Sequence, residues 1–198
     1  MNNNKKRVLI LAGVLLTVIF CTVAATQIIF TVSASPVNVR CIKWDNTYEK
    51  VVSLAEKYNS NTLDSSEHAF SFEGTLPSDN PDDYMVLTAC FEVSNRSYVD
   101  KYSANAVISN ADKFKENILF TFDANSVVSI WLHRHSRETA NVMAYAYVGN
   151  LSDDEIYELA KGLTVSLDAE GKLFGNRNRS FSFKSCDDIT IKDNREIL

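Results

Sequence analysis

The sequence predicts a mainly β fold, a β-sandwich carrying two short helices, preceded by one transmembrane helix. An α+β arrangement is the alternative class. Three observations lead there. Val8–Phe30 is an uncharged apolar run of 23 residues. Beyond it, short alternating apolar segments recur between turn residues, the pattern of a sheet-built domain. Two further stretches, 46–59 and 152–163, space their apolar residues at three and four, as helices do. With 45% apolar and 11% aromatic residues, only 6 Gly and 3 Pro, the chain is neither collagen-like nor disordered. About 160 residues follow the apolar run, enough for one domain with a core.

At about 1.5 Å per residue, Val8–Phe30 spans roughly 34 Å as a helix, the depth of a hydrocarbon core. The apolar region of a cleaved signal peptide is shorter, about 7–15 residues. Lys5, Lys6 and Arg7 precede the run, so the N-terminus is expected in the cytoplasm. The expected organisation is therefore residues 1–7 cytoplasmic, 8–30 the anchor, 31–45 a membrane-proximal segment with a first strand, and 46–198 an extracytoplasmic β-rich domain. The competing reading is a secreted domain released after Ala34, because Val32-Ser33-Ala34 suits signal peptidase. Phe20 before Cys21 does not suit a lipoprotein cleavage box, and the run lacks the glutamate of pilin-like subunits.

In Pro36–Lys43, Val37, Val39 and Cys41 share one face of a first strand. In Asn46–Asn59 a stripe of Tyr48, Val51, Val52, Ala55 and Tyr58 marks a helix, with Asn46 and Glu49 spaced as a capping box. His68–Thr75 reads as a strand with Phe70 and Phe72 on one face, and Leu76–Asp83 as a turn. Tyr84–Val93 is apolar in both alternating sets, as in a central strand covered on both faces. A short strand is expected near Ala104–Ser109 and a helical turn near Ala111–Glu116. Ile118–Phe122 and Val127–Leu132 read as strands joined at Asp123–Ser126, and Ala140–Val148 as another. Ser152-Asp153-Asp154-Glu155 is a full capping box for a helix with the stripe Ile156, Leu159, Ala160 and Leu163. Leu163–Leu167 follows as a strand and Asp168–Gly171 as a hairpin turn. Last strands are expected at Ser180–Phe183 and Ile189–Ile191. Antiparallel pairing is the natural outcome of so many short strands.

YMVLTACFEVSNRS resembles the strand and N-x-S turn of exported immunoglobulin-like β-sandwich domains of Gram-positive bacteria. VMAYAYVGNLSDDEIYELAKGLTVSL resembles the late strand, capped helix and strand of some of them. Together these cover about a quarter of the part outside the membrane. The resemblance implies an immunoglobulin-like fold and carries over no functional residue. The helix 46–59 departs from a plain seven-stranded pattern.

From Ser35 onward the chain holds 17 basic and 25 acidic residues, a net −8. That argues against nucleic-acid binding, which needs clustered Lys and Arg to displace counterions. It also opposes contact with an anionic surface unless a local basic patch overrides the average. Cys41, Cys90 and Cys186 allow at most one intramolecular disulfide, with three possible pairings. The N-x-S/T sequons at Asn95, Asn150 and Asn178 match chance in so Asn- and Ser-rich a chain. The acidic groups Asp79–Asp83, Asp153–Glu155 and Asp187-Asp188 lack calcium-loop spacing and read as loops and helix starts.

Leu132–Glu138 is the most concentrated polar group. On a strand, His133 and His135 would share a face about 7 Å apart, a pair able to bind Zn²⁺ with a third ligand such as His68, an acid or Cys186. In Gly175–Lys184, Arg177, Arg179 and Lys184 stand near Phe181 and Phe183, a basic loop suited to an anionic envelope polymer or an acidic protein patch. No G-x-S-x-G elbow or C-x-x-C pair is present. The expected function is a single-pass, membrane-anchored extracytoplasmic binding or interaction module requiring no cofactor. Its partners would be the membrane, through residues 8–30, and an envelope protein or anionic polymer, with no nucleic acid. The alternative is an envelope hydrolase with a site near His133 and His135.

Overall fold

In the computed structural model, residues 3–29, 32–96, 101–123, 130–171 and 175–193 are described. The chain runs α1 (Asn3–Ile29), β1 (Val32–Lys43), α2 (Thr47–Asn59), β2 (Glu67–Ala69), β3 (Tyr84–Asn95), β4 (Lys101–Asn110), β5 (Ile118–Phe122), β6 (Ile130–Leu132), β7 (Ser136–Tyr147), α3 (Asp153–Gly162), β8 (Thr164–Gly171), β9 (Gly175–Ser182) and β10 (Ile189–Asp193). One sheet has the order β10-β1-β3-β7-β5-β2 and the other β6-β4-β8-β9. The described fold is mainly β, as expected. Beyond α1 it holds four helical segments rather than two, because short 3-10 turns at Pro81–Asp83 and Asp112–Asn117 join α2 and α3.

β3 lies inside the larger sheet, with β1 and β7 on its two sides. Its residues Met85, Leu87, Ala89, Phe91 and Val93 share one buried cluster with Ala104, Ala106 and Ile108 of β4 and with Val165, Leu167 and Ala169 of β8. At its start the other face is covered too. Tyr84 joins Val51, Leu54 and Ala55 of α2 and Phe120 of β5 in a second cluster. The doubly apolar pattern of 84–93 therefore reports cover on both faces at the start of the strand, while Thr88, Cys90 and Glu92 farther along the second face are half-buried. A register shift between Ile118 and Phe120 of β5 accompanies their placement in different clusters.

Several expectations are corrected. The pairing is mixed: β10 runs parallel to β1, and Val39 N–H donates to Asp188 O at 3.0 Å. Returning to the outer edge of the first strand in that direction needs a crossover rather than a hairpin. The strand at 68–75 ends at Ala69; beyond it Ser71 Oγ donates to the carbonyls of Glu116 and Ile118 and pulls the chain off the ladder. Phe70 and Phe72 consequently pack on different clusters. Asp168–Gly171 are not a turn but continue β8, paired with β9 up to Gly171 opposite Gly175. The strand at 118–122 and the one ending at Leu132 lie in different sheets, and residues 124–129 of that expected connection fall outside the described ones. On α2, Asn46 makes no side-chain cap; Thr47 Oγ1 accepts from Trp44 N–H at 3.0 Å instead, and Leu54 rather than Val52 completes the buried stripe.

The capping box of α3 is present. Ser152 Oγ accepts from Glu155 N–H, and Ser152 N–H donates back to Glu155 Oε2 at 3.0 Å. The backbone N–H of Ser152, then its hydroxyl, hold the Glu155 carboxyl below its ordinary 4.5. A depressed carboxyl contributes stability above its unfolded pKa and loses it as pH falls. Ser152→Ala is expected to cost about 1 kcal/mol in denaturant unfolding at neutral pH. The deficit should shrink as pH drops below 4.5, because the wild type then loses the carboxylate half of the box.

Candidate functional site

Backbone pairing brings the ends of both sheets together where the chain leaves α1. Val32, the first residue of β1, pairs with Asn95, and Asn95 pairs with Ser136. In the other sheet Leu132 pairs with Lys101, Lys101 with Gly171, and Gly171 with Gly175. Leu132 and Ser136 flank the turn His133-Arg134-His135, so that turn closes this end of the domain.

Polar groups from Ser136 and the buried Asn95 hold the turn. Ser136 donates to His133 O through its N–H at 3.2 Å and its hydroxyl at 2.8 Å. Asn95, fully buried, donates its side-chain amide to Leu132 O at 3.3 Å and His133 O at 3.1 Å. His135 has φ 53°, in the left-handed region, where the short turn forces a residue off extended geometry. His133, Arg134 and His135 are all exposed. Arg137, the second residue of β7, has its side chain 67% exposed and its Nη1 3.5 Å from Glu92 Oε1. Arg96, also exposed, follows the last residue of β3.

The two histidines thus occupy a turn and not a strand, so the two-residue alternation that would put them on one face does not apply. The third histidine is engaged elsewhere. His68 Nε2 stands 2.9 Å from Asp123 Oδ1, and Asp123 Oδ2 accepts from Asn105 Nδ2 at 2.9 Å, linking the two sheets. His68 pairs with Thr121 and Thr121 with Ala144, eight residues along β7 from Ser136, or roughly 27 Å at the rise of a strand. Among the described residues, no group of three or more His, Cys, Asp and Glu is placed to hold a metal ion. Cys41, Cys90 and Cys186 are free thiols, two of them buried in the core.

The basic and aromatic residues of 175–184 are divided. They belong to β9, the edge strand of the smaller sheet, and to the bend after it. Arg177 and Arg179 stand opposite Ala169 and Leu167 of β8. Arg179 is exposed, and a charge at a core-side register position on an edge strand discourages pairing with another chain. Phe181 stacks in the core, its ring 5.2 Å from Phe91 and 5.8 Å from Phe183. Lys184 Nζ lies 3.0 Å from Asp112 Oδ2, in a groove of about 470 Å³ also lined by Lys113, Lys161 and Glu158. Packing and ion pairing therefore occupy Phe181, Phe183 and Lys184, three of the five residues singled out in that stretch. What the sequence reading passed over is Arg96, Lys101, Arg134 and Arg137 as one end of the domain. Arg134 and Arg137 lie within the noted polar string, but only strand pairing brings Arg96 and Lys101 to it.

α1 is the one helix among the described residues long and apolar enough to cross a membrane. Over Lys6–Ala25 none of it is buried, and Leu11 and Phe20 are 71% and 74% exposed. No protein-family model matches this chain, and neither does any curated protein.

Proposed function

We propose that this chain is a single-pass, membrane-anchored extracytoplasmic interaction module, with residues 1–7 in the cytoplasm. The observation that carries the reading is α1, whose apolar side chains find no cover in the folded domain. At roughly 25 cal/mol per Å² of apolar surface, leaving some twenty such residues in water is prohibitive, whereas a bilayer accommodates them. The basic residues Lys5, Lys6 and Arg7 support the orientation. Two sheets sharing one buried cluster support a β-sandwich. Such a domain presents edges and turns to partners rather than a deep cleft. The hydrolase alternative draws no support from His133 and His135, which are exposed on a turn.

Retention of the anchor is favoured over release after Ala34. Ala34 pairs with Val93, and Val32 is buried, so cleavage there would strip paired residues from β1. Two measurements test the proposal. Intact mass of protein from the membrane fraction should correspond to the uncleaved chain, and in-cell crosslinking should recover a reproducible extracytoplasmic partner. A mature chain beginning at Ser35 in the soluble fraction, or a protein accessible only from the cytoplasm, would overturn it.

A further inference from the structure

At the end where β1 begins stand Arg96, Lys101, Arg134 and Arg137 with His133 and His135, and close by the acids Glu138, Glu170 and Glu92, the last 3.5 Å from Arg137, so the basic residues there are only slightly in excess. At the opposite end, where β3 begins and β7 leads toward α3, stand Asp79, Asp82, Asp83, Asp153 and Asp154. β3 has 12 residues, so the two ends are separated by about 40 Å. That is several Debye lengths at physiological salt, about 8 Å each, so the distant acids are screened and the local cluster governs contacts at its own end.

Chain continuity fixes where that cluster sits. Two residues separate Ile29 of α1 from Val32 of β1, a reach of at most about 11 Å. Val32 is two strand spacings, about 10 Å, from Ser136 through Asn95. With α1 across a bilayer, the turn therefore lies within about 21 Å of the end of α1, and a domain tilted toward the bilayer brings it to the headgroup layer.

We infer that this end of the domain seats on anionic lipid headgroups of the bilayer that α1 spans, with Arg96, Arg134 and Arg137 meeting lipid phosphates. The inference rests on the membrane reading of α1. Guanidinium groups present paired donors to phosphate oxygens and shed their hydration readily, which suits an interface. Seating would hold the opposite end of the domain away from the bilayer.

The test uses full-length protein in nanodiscs of phosphatidylcholine alone or mixed with phosphatidylglycerol, read by hydrogen exchange. Amides of 132–138 are expected to exchange about thirtyfold more slowly in the anionic discs, the scale of two basic residues near an anionic surface at about 1 kcal/mol each. The protection should vanish in high salt and in Arg96→Gln/Arg134→Gln/Arg137→Gln, and return only in part in the matching triple Lys variant, which keeps the charge but not the paired donors. Residues of α3 should exchange equally in both discs and in every variant, which reports an intact fold. Equal exchange of 132–138 in the two discs overturns the inference while leaving the anchor in place. Protection gained only from added polyglycerol phosphate overturns it in favour of an envelope polymer. Failure of the chain to enter discs at all overturns the membrane reading itself.

Discussion

Phe91→Ala is expected to lower the unfolding free energy by about 3–5 kcal/mol, the range for emptying a buried phenylalanine site. Phe91 is fully buried near the middle of β3, between Pro36 of β1 and Ala140 of β7. Its ring meets Phe181 of the other sheet at 5.2 Å. It therefore ties the sheets together, and neighbours fixed in two ladders cannot collapse into the space it leaves. For a domain of this size the loss corresponds to roughly 10 °C in melting temperature. Phe91→Leu, which keeps most of the volume, should cost about 1–2 kcal/mol. Denaturation of the two variants in mild detergent checks both figures. If Phe91→Ala loses less than about 1 kcal/mol, the sheets do not share a core at this point.

Cys41 should resist thiol reagents until the domain unfolds. Burial pushes its thiol from the ordinary 9.0 up to about 12, so at neutral pH the thiolate is about a thousandfold scarcer than in an unfolded chain. Steric exclusion from a fully buried site adds to that. Cys90, half-buried on β3, is shifted upward too, mainly by burial and against the opposing effect of Arg40. Maleimide labelling followed by peptide mass analysis should find Cys90 modified in the native protein and Cys41 only after denaturant. Rapid native labelling of Cys41 would show that β1 opens readily. The same shift has an alkaline signature. Between 9.0 and about 12 the unfolded chain gives up a proton that the folded one keeps, so stability falls with rising pH, by up to about 1.4 kcal/mol per unit. Tyr84 and Tyr145, both raised chiefly by burial, act in the same direction. Cys41→Ala should therefore flatten part of the alkaline decline.

Where a pattern depends on one short segment and one partner surface, it was legible. The stripe of α3 and its capping box lie within twelve residues, and the structure reproduces both. β3 was readable because one face is buried along its length and the other at its start, which leaves both alternating sets largely apolar. Segment 68–75 was not, since the hydroxyl of Ser71 diverts it to carbonyls some 45 residues away. Nor was the turn at Asp168–Gly171, whose D-A-E-G string has turn chemistry but is held extended by β4 and β9 on either side. The candidate site divides the same way. Leu132–Glu138 stood out by composition, yet a strand reading of it suggested a metal pair where the structure has a turn.

By itself, the sequence determined that one apolar helix precedes a mainly β domain, because hydrophobic length and alternation are local properties of the chain. It also determined the acidic excess of that domain, a matter of counting. Tertiary structure alone decided which strands are neighbours, that β10 runs parallel to β1, and that Arg96, Lys101, Arg134 and Arg137 gather at the end of the domain where β1 begins. Those juxtapositions join residues tens of positions apart through backbone pairing. Register is selected by burying one whole face of each strand at once, and no single segment carries that information.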